Sequence, residues 1–387
     1  MNRILTLIVV ALIACGCNKL PHITFNGKAP GLTNAVFLVT DAAGNSIMGD
    51  NITAGTFKKD TVLENTGYGS ISINRNGAED TNEFEVYLEA GEYTIEVDTA
   101  HLERYPKITS ASQIQKELSA YHTLQDDVSF RAELLVKQLQ DQIKNFKAYL
   151  GGNIAYANLQ TRLTMATAKV GQVKLQAFKE FTDQYPNSII AARAMEELDY
   201  TSNPAAYSAI YKKLSAAAKN TDEGKRVGEK LSKLMKVLPG ANAPTITGTT
   251  PDGHTFDPSK LDKKVYVVDF WKAGNQVSRI NHQDMLKGII NNVNTKNVGF
   301  ISVSLDNKRD WWTKAIADDH LTWPQYSDLK GNESANATNW VITTIPTFYL
   351  VDTQWRIIQR DVQFPNLERT INEYLKKQAS NSKNFSL

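Results

Sequence analysis

The sequence predicts an α/β C-terminal domain that follows a small antiparallel β domain and a helical middle segment. Short β-rich segments alternate with turn residues over 22–97, and apolar residues recur at intervals of three and four over 112–237. Strand and helix patterns then alternate after residue 239. The chain has 387 residues, of which 42% are hydrophobic and 22% charged, so it can form two or three domains that each bury a core.

The first residues have the composition of a signal peptide. Arg3 precedes an apolar run that is too short to span a bilayer. Leu12-Ile13-Ala14-Cys15 resembles a bacterial lipobox, in which the cysteine becomes the acylated first residue of the mature protein, and Cys17 is the alternative site. An ordinary signal peptide with incidental cysteines is the other interpretation. We expect a signal peptide at 1–14, a lipidated tether at 15–21, and a lipid anchor in the cell envelope, at the periplasmic side of the outer membrane.

Charge and cysteine usage exclude several classes of protein. Lys and Arg total 43 against 41 Asp and Glu, so the net charge of +2 gives no electrostatic case for a nucleic-acid partner. Both cysteines lie in the first 17 residues, so the mature domains can form no internal disulfide. The histidines show no metal-ligand spacing, and we therefore expect no metal and no cofactor.

The β domain is predicted at 22–110. Its clearest signal is a pair of alternating segments, 84–88 and 93–97, on either side of a turn that contains Gly91. Since glycine supplies backbone angles that a tight turn needs, this pattern predicts a β-hairpin.

The middle segment, 111–238, is predicted to be helical and to end at Leu238-Pro239-Gly240, a strong breaker. The α/β domain is predicted at 239–379, with a tail at 380–387. Its expected strands are 265–270, 298–304, 347–351 and 355–360, and its expected helices begin near residues 277, 309 and 366.

This last part of the chain resembles the TlpA-like branch of the thioredoxin superfamily. The entry motif G-x-x-A-P matches 240–244, the central strand matches 267–271, and the VSLD strand matches 303–306. Thr344-Ile345-Pro346-Thr347 resembles the loop whose proline is cis. The β and helical parts resemble what precedes this module in a group of bacterial envelope lipoproteins. The resemblance implies a thioredoxin-like fold and, in the family, thiol–disulfide oxidoreductase activity.

The two positions that hold the family's Cys-x-x-Cys pair are Asn275 and Ser278. A thiolate at a helix N-terminus attacks the substrate disulfide and is resolved by the second thiol. Asparagine offers no such nucleophile, and the serine hydroxyl stays protonated and forms no mixed disulfide. We therefore expect no thiol–disulfide activity, and we expect Asn275 to act as the N-cap of the following helix.

Other candidate residues border these two positions. Asp269 matches a buried acid that helps to move protons in thioredoxins, and without the thiols we expect it to persist as a hydrogen-bonded structural residue. The Pro346 loop either presents backbone groups to an extended peptide or survives as a turn that the fold requires. The predicted binding surface comprises Trp271, Gly274, Asn275, Ser278, Ile345 and Pro346.

Several functions follow from this pattern. The leading hypothesis is an exported lipoprotein whose redox-inactive thioredoxin-like domain binds an envelope protein or peptide. One alternative is a structural lipoprotein with a relic thioredoxin domain, and another is an oxidoreductase inferred from the resemblance alone. Ser278 and His282 lie four residues apart on one helix face and suggest a weak hydrolase, although no orienting residue is evident. We expect Trp311, Trp312 and Trp323 to pack in the core.

Overall fold

A computed structural model describes residues 21–75, 82–146, 148–293 and 295–384, without the side chains of 148–154 and 381–384. The described chain forms two compact units. The first contains 21–199 and 210–224, and the second contains 200–209 and 225–384. Within the described residues, no helix combines the length and the apolar character that crossing a membrane requires.

The first unit contains a sandwich of two four-stranded sheets. Its strands are β1 (His22–Lys28), β2 (Ala35–Asp41), β3 (Ser46–Ile52), β4 (Thr56–Val62), β5 (Gly67–Arg75), β6 (Glu83–Leu88), β7 (Gly91–Glu96) and β8 (Lys107–Ser110). One sheet has the order β4-β1-β7-β8 and the other β3-β2-β5-β6. Every pair is antiparallel except β1 and β7, which are parallel. Alternate residues of both sheets share one core, in which Phe25 contacts Phe37 and Tyr93.

The predicted hairpin between β6 and β7 is wrong. β6 pairs with β5, whereas β7 pairs with β1 and β8, so the chain passes from one sheet to the other at this point. The Tyr93 hydroxyl donates to the Tyr87 carbonyl at 2.7 Å and accepts from the Glu89 amide at 3.0 Å. These bonds satisfy backbone groups of the crossing that a hairpin would have paired. A glycine-containing turn between two alternating segments does not distinguish the two arrangements.

Six helices follow the sandwich in the sequence. They are α1 (Gln113–Lys144), α2 (Ala148–Gln184), α3 (Ala191–Glu196), α4 (Pro204–Lys213), α5 (Ala216–Asn220) and α6 (Asp222–Met235). The Ser112 side chain caps α1. Gln115, in the first turn of α1, is fully buried, and its side-chain oxygen accepts from the Tyr87 amide at 2.7 Å. This bond joins α1 to the outer edge of β6, the terminal strand of its sheet.

A charged cluster also joins β6 to the helices. Arg193 of α3 donates to the Glu85 carboxylate, with Nε 2.5 Å from Oε1, and its guanidinium lies 3.9 Å from the Tyr68 ring centre. His122 Nε2 is 3.8 Å from the second Glu85 oxygen. Burial acts to raise the pKa of Glu85, but His122 and Arg193 outweigh it and hold that pKa below its usual value. Glu85 is therefore a carboxylate that contributes to folding in its charged form.

The C-terminal domain has a five-stranded sheet of order β11-β10-β9-β12-β13. Its strands are β9 (Val265–Trp271), β10 (Val298–Ser304), β11 (Gln325–Ser327), β12 (Thr347–Asp352) and β13 (Ile357–Gln359). β9 to β11 are parallel, and β12 and β13 are antiparallel to their neighbours. The helices are α7 (Gln276–Asp284), which continues through a π-helical turn (Met285–Ile289) into α8 (Ile290–Asn292), and α9 (Arg309–Asp318), α10 (Ala335–Asn339) and α11 (Leu367–Asn384).

Both faces of this sheet are covered, because β9 is buried along its whole length. Val268 and Phe270 enter one apolar cluster, and Val265 and Val267 enter the other. The four strands predicted in this domain are present, the last one shortened to three residues. β11 and α10 were not predicted, because segments of three and five residues are too short to show a period.

The Glu85 cluster predicts a dependence of stability on pH. Because the pKa of Glu85 is lowered by folding, the charged group stabilises the fold above the usual glutamate pKa of about 4.3, and that contribution disappears as the pH falls through the lowered value. We expect Glu85→Gln to cost about 1–2 kcal/mol at neutral pH and progressively less in acid. Urea unfolding followed by tyrosine near-UV circular dichroism measures this difference.

The matched control is Asp183→Asn, which removes the carboxylate of a solvent-exposed pair with Lys179 and should change stability little. A Glu85→Gln deficit that is the same at neutral and acid pH would contradict the assigned role of the charge.

Candidate functional site

The candidate site lies where β9 ends and α7 begins. Asn275 is the N-cap of α7, as predicted, and its side-chain oxygen accepts from the Ser278 amide at 2.8 Å. A cap of this kind satisfies a helix amide that would otherwise lack a partner and stabilises by about 1 kcal/mol.

The same asparagine also contacts the cis-proline loop. The Ile345–Pro346 peptide bond is cis, as the resemblance implied. Asn275 Nδ2 donates to the Ile345 carbonyl oxygen at 3.3 Å. One side chain therefore connects the start of α7 to this loop, and it occupies one of the two acceptor positions of the Ile345 carbonyl.

Two residues of the predicted binding surface are buried. Trp271 and Ser278 are both 0% exposed, because they point beneath the turn into the domain. A partner at the surface cannot contact them. Gly274 is exposed, whereas Ile345 and Pro346 are half-buried. With Asn275, these residues remain a predicted surface.

Asp269 is hydrogen-bonded and buried, as predicted. It is 1% exposed, and its Oδ2 lies 2.8 Å from His282 Nε2 and accepts from the Ser302 hydroxyl at 3.0 Å. A buried carboxylate is tolerated only with such partners. The sequence did not identify His282 as its partner, because the two residues are separated along the chain and come together only when α7 packs on the sheet.

The polar contacts continue from His282 towards the surface. His282 Nδ1 is 3.7 Å from Asp319 Oδ2, and Arg279 forms a bidentate pair with Asp319, with its Nη2 at 2.7 Å from Oδ1. The Asp319 carboxylate raises the pKa of Arg279. The arrangement places two carboxylates around one buried imidazole and connects them to a cation that is 28% exposed.

This geometry does not support hydrolysis by Ser278 and His282. Both residues are 0% exposed, and Ser278 Oγ has no hydrogen-bond partner within the described part of the chain. With Nε2 bonded to Asp269, the His282 nitrogen left to serve as a base is Nδ1, which forms no hydrogen bond to Ser278 and lies 3.7 Å from Asp319 Oδ2. A substrate has no access to this pair, although Asp269 does supply the orienting residue that the sequence did not show.

The surface around the turn carries exposed apolar side chains. Val277 is 55% exposed and Ile280 is 51% exposed on α7. Trp312 packs in the core as predicted, but the prediction is wrong for Trp311, which is 56% exposed beside Lys308 Nζ, 4.3 Å from its ring centre. Trp311 also lines a polar cavity of about 700 Å³ that reaches Gly274. Consecutive tryptophans on a helix cannot both face the sheet.

No group of three or more His, Cys, Asp or Glu side chains is placed to hold a metal ion in the ranges that the structure describes.

Comparisons with known proteins agree with this geometry. Residues 238–376 match the family model described as Redoxin. No curated protein matches the chain. The Redoxin match spans the sheet, the turn and the cis-proline loop described above, and the C-terminal domain has a thioredoxin-like fold.

Several of the solved structures to which the chain is similar come from Bacteroides. The thioredoxin domain of a thiol-disulfide oxidoreductase from Bacteroides vulgatus is 28% identical, with 35% of this chain and 97% of that chain covered and a TM-score of 0.33. A thiol:disulfide interchange protein from Bacteroides sp. is 27% identical, with 37% and 93% covered and a TM-score of 0.33. A thiol-disulfide oxidoreductase from Bacteroides fragilis is 25% identical, with 34% and 98% covered and a TM-score of 0.32.

The buried Asp269–His282 pair predicts a strongly non-additive double-mutant cycle. Removing one partner leaves the other buried without compensation, so Asp269→Leu or His282→Leu alone should cost about 3–5 kcal/mol. The double variant should cost much less than the sum. All six tryptophans lie between residues 271 and 355, so tryptophan fluorescence during urea unfolding reports on this domain alone.

Additive losses from the two single substitutions would contradict direct pairing. The control pair is Arg369→Ala and Glu373→Ala on the exposed face of α11, whose coupling should be small.

Proposed function

We propose that the chain is an exported lipoprotein whose thioredoxin-like domain binds a protein or peptide partner without thiol chemistry. The observation that carries the binding proposal is the pair of exposed apolar residues, Val277 and Ile280, that follow the Asn275 cap. Apolar side chains at the centre of a protein interface contribute much of its binding energy. Here they border the surface that faces the substrate in oxidoreductases of this superfamily.

The residues of the site support the proposed absence of thiol chemistry. Both positions of the Cys-x-x-Cys pair lack sulfur, and no cysteine follows Cys17. Asn275 bonds to the helix and to the Ile345 carbonyl, which are structural roles. Reduction of a disulfide substrate by the purified mature protein would contradict this part of the proposal.

The lipoprotein part rests on the sequence at Cys15, since residues 1–20, including Cys15 and Cys17, lie outside the described residues. Palmitate labelling that persists in a Cys15→Ser chain would contradict lipidation at Cys15. A lipid anchor at this position would hold the protein at the envelope membrane, facing the periplasm.

One observation favours a second candidate, a structural lipoprotein with a relic thioredoxin domain. The hydrogen bond from Asn275 to Ile345 uses part of the cis-proline loop that a peptide would otherwise contact. In that case the exposed side chains of α7 have no partner, and the function resides in the first unit.

The substitution Val277→Asp tests the two candidates. The acidic side chain in the first turn of α7 favours the helix, so folding should be preserved, while an apolar interface at this point should lose about tenfold in affinity. The measurement is cross-linked affinity capture by the mature chain from an extract of the source cells. Each band captured by the wild-type chain is compared with its counterpart from the variant.

Met235→Asp is the matched control, because Met235 is an exposed apolar residue of the same unit, outside the candidate surface. A partner that is lost with Val277→Asp and retained with Met235→Asp supports the binding proposal. Equal capture by all three chains contradicts it and favours the relic domain.

A further inference from the structure

One strand of the C-terminal sheet is paired on only part of its outer edge. β10 pairs with β9 along its whole length, from Val298 to Ser304. On its other side, β11 pairs only with residues 302–304. The stretch 298–301 therefore forms an open edge of the sheet.

Two hydrogen bonds at the end of β10 show which of its backbone groups face this edge. The Leu305 amide donates to the Trp271 carbonyl of β9 at 2.9 Å, whereas the Ser302 amide donates to the Pro324 carbonyl at 3.0 Å. Residues two apart on a strand direct their backbone groups to the same side. The N–H and C=O groups of Val298 and Phe300 therefore point outwards, on the same side as those of Ser302.

Pro324 explains why the pairing stops. Continuing the parallel ladder would require the amide of residue 324 to donate to the Phe300 carbonyl, and proline has no N–H. In the described ranges, neither Val298 nor Phe300 has a backbone hydrogen bond on this side. Unpaired strand-edge groups are a template for another strand.

The open edge borders a cavity of about 490 Å³ with apolar walls. The cavity has one wall on each face of the sheet. The wall on one face is formed by Phe256, Tyr266 and Tyr326. The wall on the opposite face is formed by Ile290, Phe300 and Trp323. The side chains of an added strand alternate between the two faces of a sheet. The two walls therefore match the two sets of side chains that such a strand presents.

We propose that the 298–301 edge of β10 binds an extended peptide segment of a partner protein by strand addition, with apolar side chains on both faces of the added strand. Main-chain bonds to Val298 and Phe300 supply the recognition, and the two apolar walls accept the side chains. The edge lies between residues 256–263 and 322–326, which line the cavity on either side, and the occupant we assign to it is a single peptide strand.

This site is distinct from the surface proposed above. Val298 pairs with Val265 at the start of β9, while the Asn275 turn follows the other end of the same strand. Strand addition at β10 therefore holds or fails independently of partner binding at Val277.

Amide hydrogen exchange measured by NMR on the mature chain tests the proposal. The probe is a short synthetic peptide of alternating valine and isoleucine with blocked termini. We expect it to slow exchange of the Val298 and Phe300 amides about tenfold, while the Gly299 and Ile301 amides, which face β9, stay unchanged as internal controls. The same peptide with every backbone nitrogen methylated should have no effect, because it cannot donate to the Val298 and Phe300 carbonyls and its methyl groups prevent the close approach that a strand ladder requires.

Three results would overturn the proposal. The first is unchanged exchange at Val298 and Phe300 in excess peptide. The second is an equal effect of the methylated peptide, which would mean apolar contact without strand addition. The third is slower exchange at these amides on raising the protein concentration without peptide, which would identify a second copy as the occupant.

Discussion

The arrangement of the candidate site depends on the two hydrogen bonds of the Asn275 side chain. Its oxygen caps α7 and its nitrogen binds the Ile345 carbonyl, so one residue fixes the position of the helix start relative to the cis-proline loop. Cysteine would offer only a weak acceptor here. Asn275 therefore makes two structural contacts at the position where the resemblance places a cysteine.

Beneath this turn, the Asp269–His282 pair holds α7 against the sheet. Two buried ionisable groups carry a large desolvation cost, which is offset only if both keep their hydrogen bonds. The network therefore specifies one position for the helix, and it reaches the surface through Asp319 and Arg279. The same packing leaves Val277 and Ile280 exposed, because the opposite face of α7 is buried in the core.

Much of the C-terminal domain could be predicted from the sequence, because buried parallel strands such as β9 leave continuous apolar segments. The N-cap at Asn275 followed from residue type and position, whereas the buried state of Asp269 was implied by the resemblance to thioredoxins. The partner of Asp269 could not be predicted, since His282 approaches it only through tertiary packing. The crossing between β6 and β7 was missed because local turn chemistry does not encode which strands pair. The exposure of Trp311 was not predicted, because the sequence does not show which of the two neighbouring tryptophans faces the sheet.

The most direct test of this account compares Asn275→Ala with Asn275→Asp by urea unfolding followed through tryptophan fluorescence. Aspartate keeps the cap and loses the donor to Ile345, whereas alanine loses both contacts. We predict that the alanine variant is less stable than wild type by about 1–2 kcal/mol and that the aspartate variant lies between them. An alanine variant as stable as wild type would contradict the structural role assigned to Asn275.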